Sequence, residues 1–302
     1  MEIVNGKKML EKAQREKYAV AAFNFSNLEQ LKAILSAAEK CNRDVIVQAS
    51  PSAIKYMGLE VIAPMLKALA KNLSINVCLN LDHGKSFEMI KDCIDAGFTN
   101  VMIDASDKSF EENVAITKQC VEYAHLHGVT VEAELGSLKG IEDEVSSIKS
   151  HFTKPEDAKK FVEQTGIDSL AISIGTSHGA YKFEGKSYLD IERLEEIRKL
   201  VDIPLVLHGA SSVSDTLKAN FRNSGGEIGN ANGVSTENLV ESVKHGICKV
   251  NVDTDLRIAF TTGVRNCLKD TKIFNPRDYL SEAMKEVENE AIKRINILNG
   301  KL

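Results

Sequence analysis

The chain has 302 residues, a net charge of −5 and enough length to bury a large core without disulfides or structural metals. That charge and the lack of a basic cluster argue against a nucleic-acid partner, and no run approaches the roughly 18 apolar residues of a membrane span. The six cysteines are scattered with no Cys-x-x-Cys pair, and MEIVNGKKML lacks the apolar stretch of a signal peptide, so a cytoplasmic protein with reduced thiols is expected.

In chain order, the first apolar run is YAVAAFNF (18–25), followed by the amphipathic LEQLKAILSAAEKC (28–41). DVIVQAS (44–50), INVCLNLDH (75–83) and NVMIDAS (100–106) read as the next strands, and FEENVAITKQCVEYAHLHG (110–128) as a helix. VTVEAELG (129–136) is the fifth run. After it SLKGIEDEVSSIKSHFTKP (137–155) has neither a strand nor a helical period, so an active-site loop without regular structure is expected over 137–154. SLAISIG (169–175), the helical DIERLEEIRKLV (190–201) and PLVLHGAS (204–211) follow. The Gly/Asn-rich NSGGEIGNANGV (223–234) precedes the eighth run, CKVNVDT (248–254), and an extra amphipathic helix over 277–302 suits packing or oligomer contact.

Apolar strands alternating with helices predict an α/β protein with a parallel sheet covered on both faces. Eight such units fit a (β/α)8 TIM barrel of one domain spanning 1–302. An open, doubly wound sheet would call for a G-x-G-x-x-G turn after an early strand, and none is present.

In a barrel, the residues that close each strand meet on one rim, where active sites of this architecture lie. The third run closes on Asp82-His83 and the fourth reaches Asp104. The fifth carries Glu132 and Glu134 on one face. IGTSHGAYK, after the sixth, holds His178. The seventh closes on His208-Gly209, and the eighth holds Asn251 and Asp253. Any one of these histidines alone reads as an ordinary loop residue; His83, His178 and His208 together, with an open fourth position, predict a catalytic zinc site. His125, His127, His151 and His245 fall outside the pattern and are read as structural or solvated.

Glu132 and Glu134 would be costly to bury unpaired. Either a barrel lysine or arginine pairs with them, or they serve the metal: Glu134 as an alternate ligand, Glu132 and Asp104 by orienting ligating imidazoles. Asp82 poses a geometric problem, because neighbours in a regular strand face opposite ways. Both residues can share the site only if the chain leaves the ladder near Gly84.

Glycines and small hydroxyls after the sixth and seventh strands, then Thr254 at a helix start, suggest a phosphate cradle. Lys182 would add a point charge to it or lie on the surface. Arg257 would bind a second phosphate or form a surface ion pair.

The motifs AAFNF, LDHG, VMIDAS, VEAELG, GIED, IGTSHGAYKF, PLVLHGAS and KVNVDTDLR occur in this order along nearly the whole chain. In residue type and spacing they resemble the class II, metal-dependent fructose-1,6-bisphosphate aldolases. The resemblance implies that His83, His178 and His208 bind one Zn2+, with a monovalent cation (Na+ or K+) near the phosphate loops. It implies that Asp82 is the acid and base at the aldehyde oxygen, and that Glu142 moves the proton at the nucleophilic carbon of dihydroxyacetone phosphate. Gly179, Lys182, Gly209, Ser211, Asp253 and Thr254 would hold the triose phosphate, with Asn251 near its hydroxyl and carbonyl end. Ser50 and Arg257 would take the far phosphate, Asn24 would support the site, and the subunits are expected to form a homodimer or homotetramer.

Three alternatives differ from this expectation in the residues they require. A Schiff-base route needs a lysine on a strand at the rim; SLAISIG has none, and Lys249 starts its strand away from the mouth. Tagatose-bisphosphate aldolases of the same family are expected to have alanine in place of Asp253 and a shorter connection before the eighth strand, so fructose 1,6-bisphosphate is favoured. A zinc-barrel hydrolase would carry His-x-His on the first strand, where AVAAFNF has no histidine.

Overall fold

Short β-branched runs, buried on both faces, build the centre of the molecule. In the computed structural model, residues 3–136, 152–176, 188–229 and 232–301 are described in full, and 139–142, 145–147 and 177–178 by their backbone. In chain order the strands are β1 (Val20–Asn24), β2 (Val45–Ala49), β3 (Val77–Gly84), β4 (Asn100–Ile103), β5 (Thr130–Leu135), β6 (Lys139–Glu142), β7 (Val145–Ser147), β8 (Ser169–Ile172), β9 (Ser177–His178), β10 (Leu205–Leu207) and β11 (Ile247–Val252). Eight of them close a parallel barrel in the order β1-β11-β10-β8-β5-β4-β3-β2, so each expected strand run takes its place in the (β/α)8 fold.

Of the other three, β6 and β7 correct the expectation of an irregular stretch over 137–154. β6 and β7 form an antiparallel hairpin, and β6 pairs in parallel with β9, Gly140 opposite His178. Strands of three and four residues with few apolar side chains carry almost no periodic signal.

Helices pack around the barrel because their apolar stripes meet the outward faces of the strands. Leu31, Ile34, Leu66, Ile90, Phe161, Leu194 and Ile197 are fully buried against residues such as Val47, Leu79, Val101 and Val131. Side-chain caps start several of these helices just beyond the strands, among them Asn27, Ser86 and the Ser109–Glu112 capping box. A helix absent from the sequence reading, Lys7–Glu16, closes the end opposite the strand termini with Met9, Leu10 and Ala13 against Val20, Ile46, Cys78 and Cys248. The C-terminal helix, Pro276–Leu298, lies on the helices Leu28–Cys41 and Thr254–Cys267. No helix among the described residues is long and apolar enough to cross a membrane.

Candidate active site

The geometric problem at Asp82-His83 is resolved by a break in β3. His83 adopts a left-handed φ of 52°, and the β3–β4 register shifts between Leu81 and Gly84. Gly84 is needed there, because a Cβ would come within 2.7 Å of the Met102 carbonyl. The bulge turns both side chains into the mouth, where Asp82 Oδ1 lies 4.0 Å from His83 Nε2.

Two imidazoles face each other across this point. His83 Nε2 and His208 Nδ1 are 3.0 Å apart, with the rings nearly perpendicular at 78°. The far nitrogen of each ring is held by a carboxylate: His83 Nδ1 by Asp104 Oδ2 at 2.9 Å, His208 Nε2 by Glu132 Oε1 at 2.7 Å. Lys85 and Ser106 donate to Asp104, and fully buried Lys249 donates to Glu132 Oε2 at 2.8 Å. Carboxylates behind imidazoles fix tautomer and orientation at metal sites.

The charges follow from these contacts. Burial opposes charge on His83, but Asp82, Asp104 and Glu134 outweigh it and raise its pKa to about 10. Burial keeps the neighbouring His208 below the usual histidine value against the pull of Glu132. Burial would raise Asp104 and Glu132; His83 and Lys85 hold the first well below the carboxylate range, and Lys249 with His208 hold the second at about 2. Glu134 goes the other way, pushed up to about 8 by burial and then by the like charge of Asp104. Its Oε2 lies 3.8 Å from His83 Nδ1 and has no hydrogen-bond partner among the described residues.

This donor set fits a divalent cation. Asp82, His83 and His208 bring one ligand atom each to a common point, as do His83, Asp104 and Glu134. The 3.0 Å between the imidazole nitrogens is close to the roughly 3.3 Å edge of a tetrahedron with about 2.05 Å zinc–nitrogen bonds. His178 contributes its backbone to β9, and its side chain lies outside the described residues, as does that of Glu142 on β6. Gly179 and Lys182 are likewise outside them.

Asp82 is gripped from two sides, Oδ2 accepting from Asn24 Nδ2 at 2.7 Å and Oδ1 from Asn251 Nδ2 at 3.1 Å. Beside it opens a cleft of about 350 Å³ lined by Asn24, Ser50, Tyr56, Asp253 and Arg257 among others. Arg257 is paired to Asp253, Nη2 to Oδ2 at 2.6 Å, and Ser50 caps the helix Pro51–Met57. Gly209 and Ser211 follow His208, and Ser211 Oγ accepts from the Asp253 N–H at 3.3 Å, joining the two halves of the expected phosphate cradle. Thr254, buried, opens the helix that follows. The Gly/Asn-rich segment braces this turn: a Cβ on Gly233 would come within 2.0 Å of the Ser211 carbonyl.

Sequence reasoning did not find how Lys249, Asp255 and Arg294 support the site. Lys249 and Asp255 are fully buried and Arg294 nearly so. The available signal is parity: Lys249 and Asn251 stand two apart on one strand and therefore share its inner face.

A protein-family model for class-II fructose-bisphosphate aldolase matches residues 4–301. A fructose-bisphosphate aldolase of Thermus caldophilus is 50% identical over 301 residues, covering 99% of this chain and 98% of its own. One from Helicobacter pylori strain J99 is 46% identical over 302 residues, with coverage of 99% and 98%. Among solved structures, the YdjI aldolase of Escherichia coli K12 superposes with a TM-score of 0.81 at 28% identity, covering 99% of this chain and 98% of that one. The fructose-bisphosphate aldolase of Campylobacter jejuni gives a TM-score of 0.77 at 25% identity, with coverage of 98% and 95%.

Proposed function

The chain belongs to the class II fructose-bisphosphate aldolase family, and from that premise we propose how its residues divide the work. The enzyme is a carbon–carbon lyase that reversibly cleaves fructose 1,6-bisphosphate to dihydroxyacetone phosphate and glyceraldehyde 3-phosphate. The family is metal-dependent. Zinc is the ion we assign, held by His83, His208 and His178, with Glu134 as alternate ligand and Asp104 and Glu132 orienting the rings. When bound, it polarises the ketone carbonyl and spreads the charge left by cleavage.

In cleavage, Asp82 takes the proton of the C4 hydroxyl as the C3–C4 bond breaks and the aldehyde forms; in condensation it returns that proton. Asn24 and Asn251 hold the carboxylate in place for this transfer. Glu142 delivers a proton to C3 of the departing triose and removes it in the reverse direction. Gly179, Lys182, Gly209, Ser211, Asp253 and Thr254 hold the triose phosphate, while Ser50 and Arg257 receive the far phosphate. A sodium or potassium ion near the phosphate loops completes this assignment.

The observation that carries the reading is the facing pair His83–His208, each ring backed by a carboxylate, beside a doubly held Asp82. The same reading takes residues 1–302 as one barrel domain and the protein as a cytoplasmic homodimer or homotetramer; six free cysteines support a reducing compartment. A coupled cleavage assay with fructose and tagatose 1,6-bisphosphates, with and without chelator, tests it. Turnover of the fructose sugar is expected to vanish on chelation and return with zinc. Chelator-resistant turnover with an adduct trapped by borohydride would overturn the metal route.

A further inference from the structure

Barrel interiors of this fold are filled mainly by branched apolar side chains. Here five consecutive strands each place a polar side chain in a single row. Asn24 on β1 stands opposite Gln48 on β2, Gln48 opposite Asn80 on β3, Asn80 opposite Asn100 on β4, and Asn100 opposite Thr130 on β5. All five are buried. Asn24 is the last residue of β1 and Thr130 the first of β5. Strand stagger therefore carries the row from the catalytic mouth to the opposite end of the barrel.

The row is one continuous hydrogen-bond chain with one direction. Gly6 N–H donates to Thr130 Oγ1 at 3.2 Å, and the Thr130 hydroxyl donates to Asn100 Oδ1. Asn100 Nδ2 donates to Asn80 Oδ1 at 2.7 Å, and Asn80 Nδ2 to Gln48 Oε1 at 3.1 Å. Gln48 Nε2 donates to Asn24 Oδ1 at 2.7 Å, and Asn24 Nδ2 to Asp82 Oδ2 at 2.7 Å. The Asp82 end fixes the direction, because Asn24 turns its NH2 to that carboxylate and its Oδ1 to the Gln48 amide, whereas the Thr130 hydroxyl beside Gly6 can both accept and donate. Each amide between them must then turn its NH2 towards Asp82. Bonds aligned head to tail polarise one another, and a break leaves a buried group unsatisfied.

We infer that this row is a positioning relay: Gln48, Asn80, Asn100 and Thr130, anchored on Gly6, lock the Asn24 amide with its N–H groups towards Asp82 and so hold that carboxylate in line with the proton it transfers. The inference rests on the reading of Asp82 as the acid and base. It makes Thr130, at the far end of the barrel, a positioning residue for catalysis. It also gives the N-terminal helix a role beyond closing the barrel, since Gly6 precedes its first residue.

The test is a double-mutant cycle on the metal-loaded enzyme. Thr130→Val keeps the side-chain shape and removes the hydroxyl; Thr130→Ser keeps the hydroxyl. Thr130→Val is expected to lower kcat about tenfold, a small part of the roughly 10²–10⁴ that general acid–base catalysis contributes. KM and bound zinc should stay unchanged, and Thr130→Ser should restore kcat. In an Asn24→Ala background, Thr130→Val should have no further effect, because its influence passes through Asn24. If Thr130→Val does not fold, Asn100→Ala cuts the row one link further in and takes its place in the cycle. Undiminished kcat in the folded variant, or equal losses with and without Asn24, overturns the relay. Asp82→Asn separates the two ideas: full turnover there removes the reading of Asp82 itself, whereas lost turnover beside an unaffected Thr130→Val removes the relay alone.

Discussion

A φ of 52° at His83 lets two adjacent side chains serve one ion and one proton. The sequence marks Asp82-His83-Gly84 as a place where the strand must break, but not the direction of the turn, which is set by the register shift against β4. With no ion bound, the raised pKa of His83, about 10, keeps it protonated at neutral pH. A metal must displace that proton, so zinc affinity should rise with pH, about tenfold per unit between roughly pH 6.5 and 8.5. Calorimetric titrations in buffers of different ionisation enthalpy should report at least one proton released per ion; release of none would contradict this state of His83. The paired Glu132 and Lys249 supply a second test. Glu132 titrates at about 2 in the fold, below an unfolded value near 4.5, so its contribution is complete above that value and is lost as pH falls towards 2. Lys249→Met leaves a buried carboxylate without its cation. That should cost about 3–5 kcal/mol in denaturant unfolding at neutral pH, and about 10–100-fold in zinc affinity through a loosened His208.

Elements were legible where their residues repeat a pattern and illegible where tertiary contact supplies the reason. All eight barrel strands stand out because an apolar run buried on both faces needs no partner to be recognised. The helix Lys7–Glu16 has only Met9, Leu10 and Ala13 to bury, and becomes a helix against the closed barrel end. Of the polar row on β1–β5 only Asn24 was singled out from the sequence, and only the register shows that its members touch. The C-terminal helix was legible as amphipathic and suited to packing, but not the ion pairs that Arg294 makes from it. Arg294 donates to Glu290 Oε1 at 2.7 Å and to Ser212 Oγ at 2.6 Å, and lies 3.3 Å from Asp255 Oδ2. Asp255 accepts the N–H groups of Ser212 at 2.9 Å and Val213 at 2.8 Å. Val213 has a left-handed φ of 44°, a conformation that costs a β-branched residue about 1–3 kcal/mol and persists only when the surroundings enforce it. The helix thus clamps the turn that follows Ser211. Arg294→Met should destabilise the protein by about 3 kcal/mol and raise KM for fructose 1,6-bisphosphate severalfold while kcat changes less. Steady-state kinetics beside an unfolding curve checks both halves, and an unchanged KM in the folded variant would detach the helix from the cradle.

Across the whole molecule, apolar packing and chemistry occupy different layers. The apolar interlayer between strands and helices holds most of the buried core, whereas the polar groups collect inside the barrel and at its mouth. Phe161 is a fully buried member of the interlayer, on the helix Pro155–Thr165, with its ring 6.1 Å from that of Phe110 in an edge-on contact. Phe161→Ala removes that ring and leaves a cavity that helices seated on a closed barrel cannot collapse into. The expected loss is about 3–5 kcal/mol, read as a lower denaturant midpoint with an unchanged slope. Because Phe161 takes no part in the network around Asp82, His83 and His208, kcat per folded molecule should stay within about twofold of the parent at a temperature where the variant is fully folded. A large fall in kcat there, with bound zinc unchanged, would mean that interlayer packing sets the geometry of the mouth, and that the two layers are not separate.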